Sequence, residues 1–128
     1  MLQISEMRQM EPEKLNDLLA KEYSILIPTS IENASDMSQA GSMLGKLTNN
    51  YVYLMSALSY FKIWVKQCKQ NGNKEETELM MMRRDCVQTA CDVIKQQYNA
   101  ISRMITVVQE INYELRFTDG FAGNNRRV

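Results

Sequence analysis

The chain has 128 residues, a length that suits one domain with enough apolar side chains for a modest core. Its fifteen basic and fifteen acidic side chains cancel, which excludes the strong overall field typical of nucleic-acid binders and membrane-surface proteins. The charge is nevertheless uneven along the chain. Residues 1–40 carry three basic and seven acidic side chains (net −4), whereas residues 62–84 carry six basic and three acidic ones (net +3).

The first predicted element is a short amphipathic helix from about Pro12 to Tyr23. Proline suits the first helical position, and one face of this helix is apolar: Leu15, Leu18, Leu19 and Tyr23. The apolar run that follows, residues 24–27, stops at Pro28, which disfavours helix in the residue before it. The sequence therefore predicts an extended connector that packs on the rest of the fold.

Two longer stretches repeat apolar residues at alternating spacings of three and four, the pattern of a coiled-coil seam. The first stretch supplies Leu44, Leu47, Tyr51, Leu54, Leu58, Phe61, Val65 and Cys68. The second supplies Val87, Ala90, Ile94, Gln97, Ile101, Met104, Val108, Ile111 and Leu115, with Gln97 as the polar member. We expect two long helices that fold back on each other.

The limits of these two helices follow from turn and cap residues. The run Asn71-Gly72-Asn73 predicts a short turn, too short to allow a parallel pair. Thr29 with Glu32 three residues later fits a capping box, so the first long helix is expected to begin near residue 30. Helices over about 30–70 and 75–116 would match in length at about 60 Å each.

One part of the first long helix has a weak helical signal. Small residues recur along one line of it: Ala34, Ser38, Gly41 and Gly45. Each glycine costs a helix interior about 1 kcal/mol relative to alanine. Such a line favours either close approach of another helix or fraying of the segment, and the sequence leaves both open.

The predicted fold class is all-α. We expect a long antiparallel helical hairpin of coiled-coil type, preceded by the short amphipathic helix, in a single domain over residues 1–117. The apolar spacing stops after Leu115, and the glycine and asparagine content of residues 118–128 predicts a flexible tail.

A second apolar stripe runs beside each seam. On the first long helix it consists of Tyr53, Ala57, Tyr60 and Trp64, and on the second of Cys91, Tyr98 and Ile105. A hairpin has one internal seam, so these surfaces need another cover, either the N-terminal helix, a second copy, or both. We expect a homo-oligomer with an interface at Tyr53, Tyr60, Trp64 and Tyr98.

The residues that most often carry catalysis or bind metals are scarce. The sequence contains no histidine and no glycine-rich phosphate loop, and its acidic residues form no paired arrangement. We therefore expect a non-enzymatic protein without a metal or cofactor. The cysteines are odd in number, and we expect them to be buried thiols in a reducing compartment: Cys68, Cys86 and Cys91. The absence of a signal peptide pattern or a long apolar run predicts a soluble, cytoplasmic protein.

One set of residues suits single-stranded nucleic acid, because aromatic rings stack unpaired bases while lysine and arginine hold phosphates. The candidate phosphate contacts are Lys62, Lys66, Lys69, Arg83, Arg84 and Arg103, and the candidate stacking residues are Tyr60 and Trp64. A solvated basic helix end beside an aromatic oligomer interface explains the same residues. The run Met80-Met81-Met82 similarly allows either core packing or an adaptable partner surface, and core packing is favoured.

The chain shares several features with a known family: its size, the predicted hairpin over residues 44–116, the stretch from Tyr98 to Arg103 and the local basic charge. In these features it resembles the UvsY-type recombination mediators of tailed phages. This resemblance implies a ring-like oligomer that binds single-stranded DNA and helps to load a recombinase. Two other functions fit the same hairpin. One is a phage-encoded inhibitor that occupies a host defence protein or sequesters a signalling nucleotide, and the other is a structural adaptor or assembly chaperone.

Overall fold

A computed structural model describes the backbone of residues 2–127 and the side chains of residues 2–116. Over this range the chain forms four helices: α1 (Ile4–Met7), α2 (Pro12–Tyr23), α3 (Ala34–Asn71) and α4 (Lys74–Arg127). The described part of the chain contains no strand. The all-α class and the predicted α2 are confirmed, whereas the single turn α1 had no periodic signal in the sequence.

The two long helices pack against each other as the predicted hairpin. Most of the predicted seam is buried, with Leu47, Leu54, Leu58, Phe61 and Val65 from α3 facing Val87, Ile94 and Ile101 from α4. Leu44 and Tyr51 are only half-buried. Met80 and Cys91 complete the core from α4, so one methionine of the run at 80–82 packs in the core while Met82 is exposed.

The turn between the helices follows the prediction. Gly72 ends α3 in the left-handed conformation, with φ of 75°, where a residue without a Cβ avoids strain. The Gly72 amide donates to the Lys69 carbonyl at 3.2 Å. Asn73 then caps α4, because its side-chain oxygen accepts a hydrogen bond from the Glu76 amide at 3.1 Å.

The predicted start of α3 near residue 30 is wrong by four residues. Asn33 is the cap, and its side-chain oxygen accepts from the Asp36 amide at 2.8 Å. The Asp36 carboxylate in turn accepts from the Glu32 amide at 3.0 Å. The chain before Asn33 stays non-helical because Ile31 is buried in the core, and the Ser30 hydroxyl bonds the Glu32 side chain rather than a helix amide.

The line of small residues at the start of α3 neither frays nor permits close helix approach. Residues 34–45 are helical throughout, and Gly41 and Gly45 lie on the exposed face. A Cβ added at either glycine would meet no atom within 4 Å. The neighbouring position that packs is Ala40, which is buried, so the tight contact falls on the seam side of the helix.

Residues 2–31, here called the N-terminal segment, pack along the hairpin as a third layer. α2 contacts α4 and buries Leu15, Leu19 and Tyr23. The single turn α1 places Met7 in the core as well. The predicted extended connector is confirmed, since residues 24–28 are non-helical and Ile25 packs on the core, but Leu26 remains 90% exposed.

The far end of α4 projects past the beginning of α3. Ile111 and Leu115, predicted as seam residues, are exposed, because the antiparallel partner begins only at Ala34. The described helix extends to Arg127 instead of ending near Arg116. The side chains of residues 118–128 lie outside the described residues, so the flexibility of this tail stays a prediction. Within the described part of the chain, no helix has the length and apolar character needed to span a membrane.

Candidate nucleic-acid interface

The hairpin has two unlike sides. The N-terminal segment packs on one side, here called the covered side. On the other side, here called the open side, a hollow of about 340 Å³ lies between α3 and α4. Its lining comes from the two long helices alone: Leu47, Thr48, Tyr51, Ile94, Lys95, Tyr98 and Asn99.

Polar side chains of the hairpin hold the N-terminal segment by its backbone. The Gln97 amide group donates to the Ile25 carbonyl at 2.9 Å and accepts from the Ile25 amide at 3.1 Å. The buried Asn50 donates to the Tyr23 carbonyl at 3.1 Å. These contacts explain why a seam and a core contain polar residues, because each one satisfies a backbone group that leaves water on packing.

The start of the chain is fixed by two tyrosines. Tyr53 donates its hydroxyl to the Leu2 carbonyl at 2.6 Å, and Tyr23 donates to the same carbonyl at 3.3 Å. Their rings stack with centroids 6.0 Å apart. Burial raises the pKa of the Tyr23 phenol to about 12, with smaller contributions from Tyr53 and Glu22. Tyr53, a predicted oligomer contact, therefore serves the chain's own packing.

Trp64 is likewise engaged within the chain. The Arg8 guanidinium lies 4.6 Å from the centre of its ring, a cation–π arrangement. Phe61 meets the indole edge-on at 5.0 Å, and Tyr60 lies at 5.7 Å. Tyr60 is 49% exposed, so of the two predicted stacking residues it offers the more accessible ring.

The predicted lysines and aromatics do not share a face. Lys62 stands two residues from Tyr60, which is about 200° around a helix, so the two side chains point to opposite sides of α3. The lysine positions repeat every three or four residues and all three side chains are exposed: Lys62, Lys66 and Lys69. We call this line the lysine stripe.

The lysine stripe belongs to the open side. Lys62 follows Tyr51 by eleven residues and Lys69 follows it by eighteen, which brings both to within about 20° of the Tyr51 direction. Burial raises the pKa of the Cys91 thiol across the seam, and the positive charge of Lys62 partly offsets that rise. The stripe thus continues the line of the hollow toward the turn.

The predicted arginines are spread over different parts of the surface. Arg83 donates from its Nε to the Met10 carbonyl at 2.7 Å and so anchors the N-terminal segment. Arg84 forms an ion pair with Asp85 at 3.0 Å. Arg103 lies beside Ser30, on the connector's flank of α4. Of the predicted phosphate contacts, the three residues of the lysine stripe are therefore the ones whose charges are exposed and lie together.

The lysine stripe has no acidic partner in the described residues, where Arg84 and Asp85 form the one ion pair. Lys95, which is not among the predicted phosphate contacts, adds a further cation on the open side at the hollow. Its place beside the seam residue Ile94 and three residues before Tyr98 indicated its direction on α4, but not the hollow that it faces, which only the packing of α3 against α4 forms.

The thiols offer little nucleophilic chemistry. Burial raises the pKa of Cys91 to about 11, with Asp92 adding to the shift. Burial also raises the pKa of Cys86, whose thiol donates to the Pro12 carbonyl at 3.3 Å. Because the thiolate is the reactive form, these groups act as packing residues at neutral pH. The described residues contain no cluster of cysteines and carboxylates suited to a metal ion.

Comparison with known proteins gives no relative for this chain: no protein-family model, curated protein or solved structure matches it.

Proposed function

We propose that the protein is a non-enzymatic, homo-oligomeric binder of single-stranded DNA that acts in the cytoplasm as a recombination mediator. The observation that supports this proposal best is the lysine stripe. Its ammonium groups are exposed, share one direction on α3, and have no carboxylate partner in the described residues. A flexible polyanion satisfies such a line without needing a fixed shape.

The number of cations sets the expected strength of binding. The lysine stripe and Lys95 offer four lysines on the open side, and single-strand affinity changes with salt by a log slope of about −0.7 per phosphate neutralised. One subunit would then bind poorly at physiological ionic strength. Several subunits that present the stripe to the same strand raise the effective concentration of each further site, so weak contacts add up to useful avidity.

Assembly needs a surface that the chain itself does not cover. The N-terminal segment occupies Tyr53 and Trp64, which removes half of the predicted interface. The outer face of α3 still exposes apolar side chains at helical spacing: Val52, Tyr60 and Ile63. We place the oligomer contact on this face. It leaves the open side free for the strand, because Ile63 and Lys62 differ by one residue and point about 100° apart.

A charge-matched pair of variants tests the DNA proposal. One variant replaces the lysine stripe by Lys62→Gln, Lys66→Gln and Lys69→Gln. The control replaces three exposed lysines elsewhere by Lys14→Gln, Lys21→Gln and Lys46→Gln, so that net charge is equal in the two proteins. Fluorescence anisotropy with a labelled oligothymidylate at low salt should show a large loss of affinity for the stripe variant alone.

The dependence on salt and on strand length gives the second readout. The log slope of affinity against salt should fall by about 2 in the stripe variant, as expected for three lost phosphate contacts. Longer strands should bind more tightly until they span one oligomer. Equal losses in the two variants would show that net charge alone matters, and wild type without affinity at low salt would end the proposal.

A protein-binding adaptor or inhibitor is the second candidate, and Leu26 is the observation that favours it. This side chain is 90% exposed on an extended connector whose backbone is fixed at Ile25 by Gln97. A rigid, exposed apolar side chain is a suitable anchor for a partner pocket. Tight association with a purified host protein that disappears in Leu26→Asp, together with no affinity for DNA, would support this candidate instead.

A further inference from the structure

We propose that the hollow on the open side is a stacking site for an unpaired nucleobase of the strand held by the lysine stripe. This inference rests on the proposed function and adds a position for the base to that of the phosphates. Tyr51 and Tyr98 supply the aromatic walls from the two long helices. Neither residue belonged to the aromatic set that the sequence suggested for stacking.

The hollow has the form of a small-ligand site. Leu47 and Ile94 are fully buried and form its apolar floor, while Tyr51 is half-buried and Tyr98 is 39% exposed. Its volume of about 340 Å³ falls at the lower end of the range of ~300–1,000 Å³ found for ligand pockets. Two amphipathic rings over an apolar floor suit a flat, heteroaromatic group better than an aliphatic chain.

The polar rim fits a nucleotide. Lys95 carries a cation at the hollow itself, and the Asn99 amide offers both a donor and an acceptor for a base edge. The lysine stripe continues from the hollow, since Lys62 follows Tyr51 by eleven residues and so lies about 16 Å farther along α3 at ~1.5 Å per residue. A strand with one base in the hollow can therefore place its neighbouring phosphates along a line of positive charge, which is the charge complementarity that selects this occupant.

The test separates bases from phosphates. Affinity is measured by anisotropy for a labelled oligothymidylate and for an abasic strand of the same length and charge. Wild type should prefer oligothymidylate by about tenfold, the typical contribution of one stacked base. Tyr98→Ala and Tyr51→Ala should abolish that preference with unchanged affinity for the abasic strand, whereas Tyr98→Phe should retain it.

Controls distinguish this inference from the proposed function. The stripe variant should lose affinity for both strands, and Tyr113→Ala, at a residue 71% exposed farther along α4, should change neither. If Tyr51→Ala and Tyr98→Ala keep the wild-type preference while the stripe variant loses binding, the hollow is not the base site and the phosphate proposal stands. If wild type binds neither strand, both proposals fail. If Tyr98→Ala instead lowers the oligomer mass in light scattering, the hollow is a contact between copies and the inference is wrong.

Discussion

The covered and open sides of the hairpin use similar residues for different ends. On the covered side, polar and aromatic groups are consumed by internal contacts: Gln97 holds Ile25, Arg83 holds Met10, and Tyr53 holds Leu2. On the open side, Lys95, Tyr51 and Tyr98 border a hollow that the described chain does not fill. The difference teaches that a residue type indicates a binding role only after internal partners have been accounted for.

The largest expected effect concerns burial within the N-terminal segment. Leu19→Ala should lower the free energy of unfolding by about 2–5 kcal/mol, because it removes buried methyl groups and leaves a cavity between α2 and α4. The same substitution at the exposed Leu26 should change it by less than about 0.5 kcal/mol. Urea unfolding followed by circular dichroism measures both, and equal midpoints would show that α2 is not part of the cooperative core.

The next largest effect concerns the two hydrogen bonds between the Gln97 side chain and the backbone of Ile25 in the connector. Gln97→Ala leaves the amide and carbonyl of Ile25 without their partner, at an expected cost of about 1–3 kcal/mol. Native-state hydrogen exchange should show faster exchange of the Ile25 amide. The exposed neighbour Gln96→Ala is the matched control and should leave that rate unchanged. Unaltered exchange in Gln97→Ala would show that Gln97 does not hold the connector in place.

Arg83 and Lys66 carry the same charge on different sides of the hairpin, and we expect their substitution to affect different properties, stability for Arg83 and DNA binding for Lys66. Arg83→Gln removes the hydrogen bond to Met10 and should cost about 1–2 kcal/mol of stability, with an unchanged salt slope of DNA binding. Lys66→Gln should reduce the magnitude of that slope by about 0.7 and alter stability by less than about 0.5 kcal/mol. The reverse pattern would exchange the roles assigned to the two sides.

The smallest effect at neutral pH, and one confined to alkali, comes from Tyr23. Its folded-state pKa of about 12 exceeds the ordinary value of 10.0, because burial disfavours the charged phenolate. Its contribution to stability is therefore complete below pH 10 and is lost as the pH rises toward 12. Tyr23→Phe should flatten the stability profile in that range, whereas Tyr113→Phe, at an exposed position, should not. A profile unchanged by Tyr23→Phe would contradict the assigned burial.

Much of the hairpin could be predicted because its determinants are local and periodic. The spacing of Leu54, Leu58 and Phe61 marks one side of a helix wherever that helix lies, and all three are buried as predicted. Gly72 at a positive φ ends α3 for a reason specific to glycine. The start of α3 was misplaced because residues 29–36 contain more than one possible cap, and the burial of Ile31 decides among them.

The candidate site was predicted less well. Lys62, Lys66 and Lys69 do form one exposed stripe, but Trp64 and Arg83 are occupied by Arg8 and Met10. These partners lie 56 and 73 positions away in sequence, and no local pattern announces them. Sequence spacing gives the direction of a side chain on its own helix, whereas its availability depends on what packs there from elsewhere.

The amino-acid sequence by itself determined the helices, the antiparallel hairpin and most of its seam, because heptad periodicity and a turn glycine act over a few residues. Only the tertiary structure decided which side of that hairpin is covered. The choice depends on long-range pairs such as Gln97 with Ile25 and Asn50 with Tyr23. These pairs satisfy backbone groups that leave water together with α2 and the connector, so they are meaningful only in the packed fold.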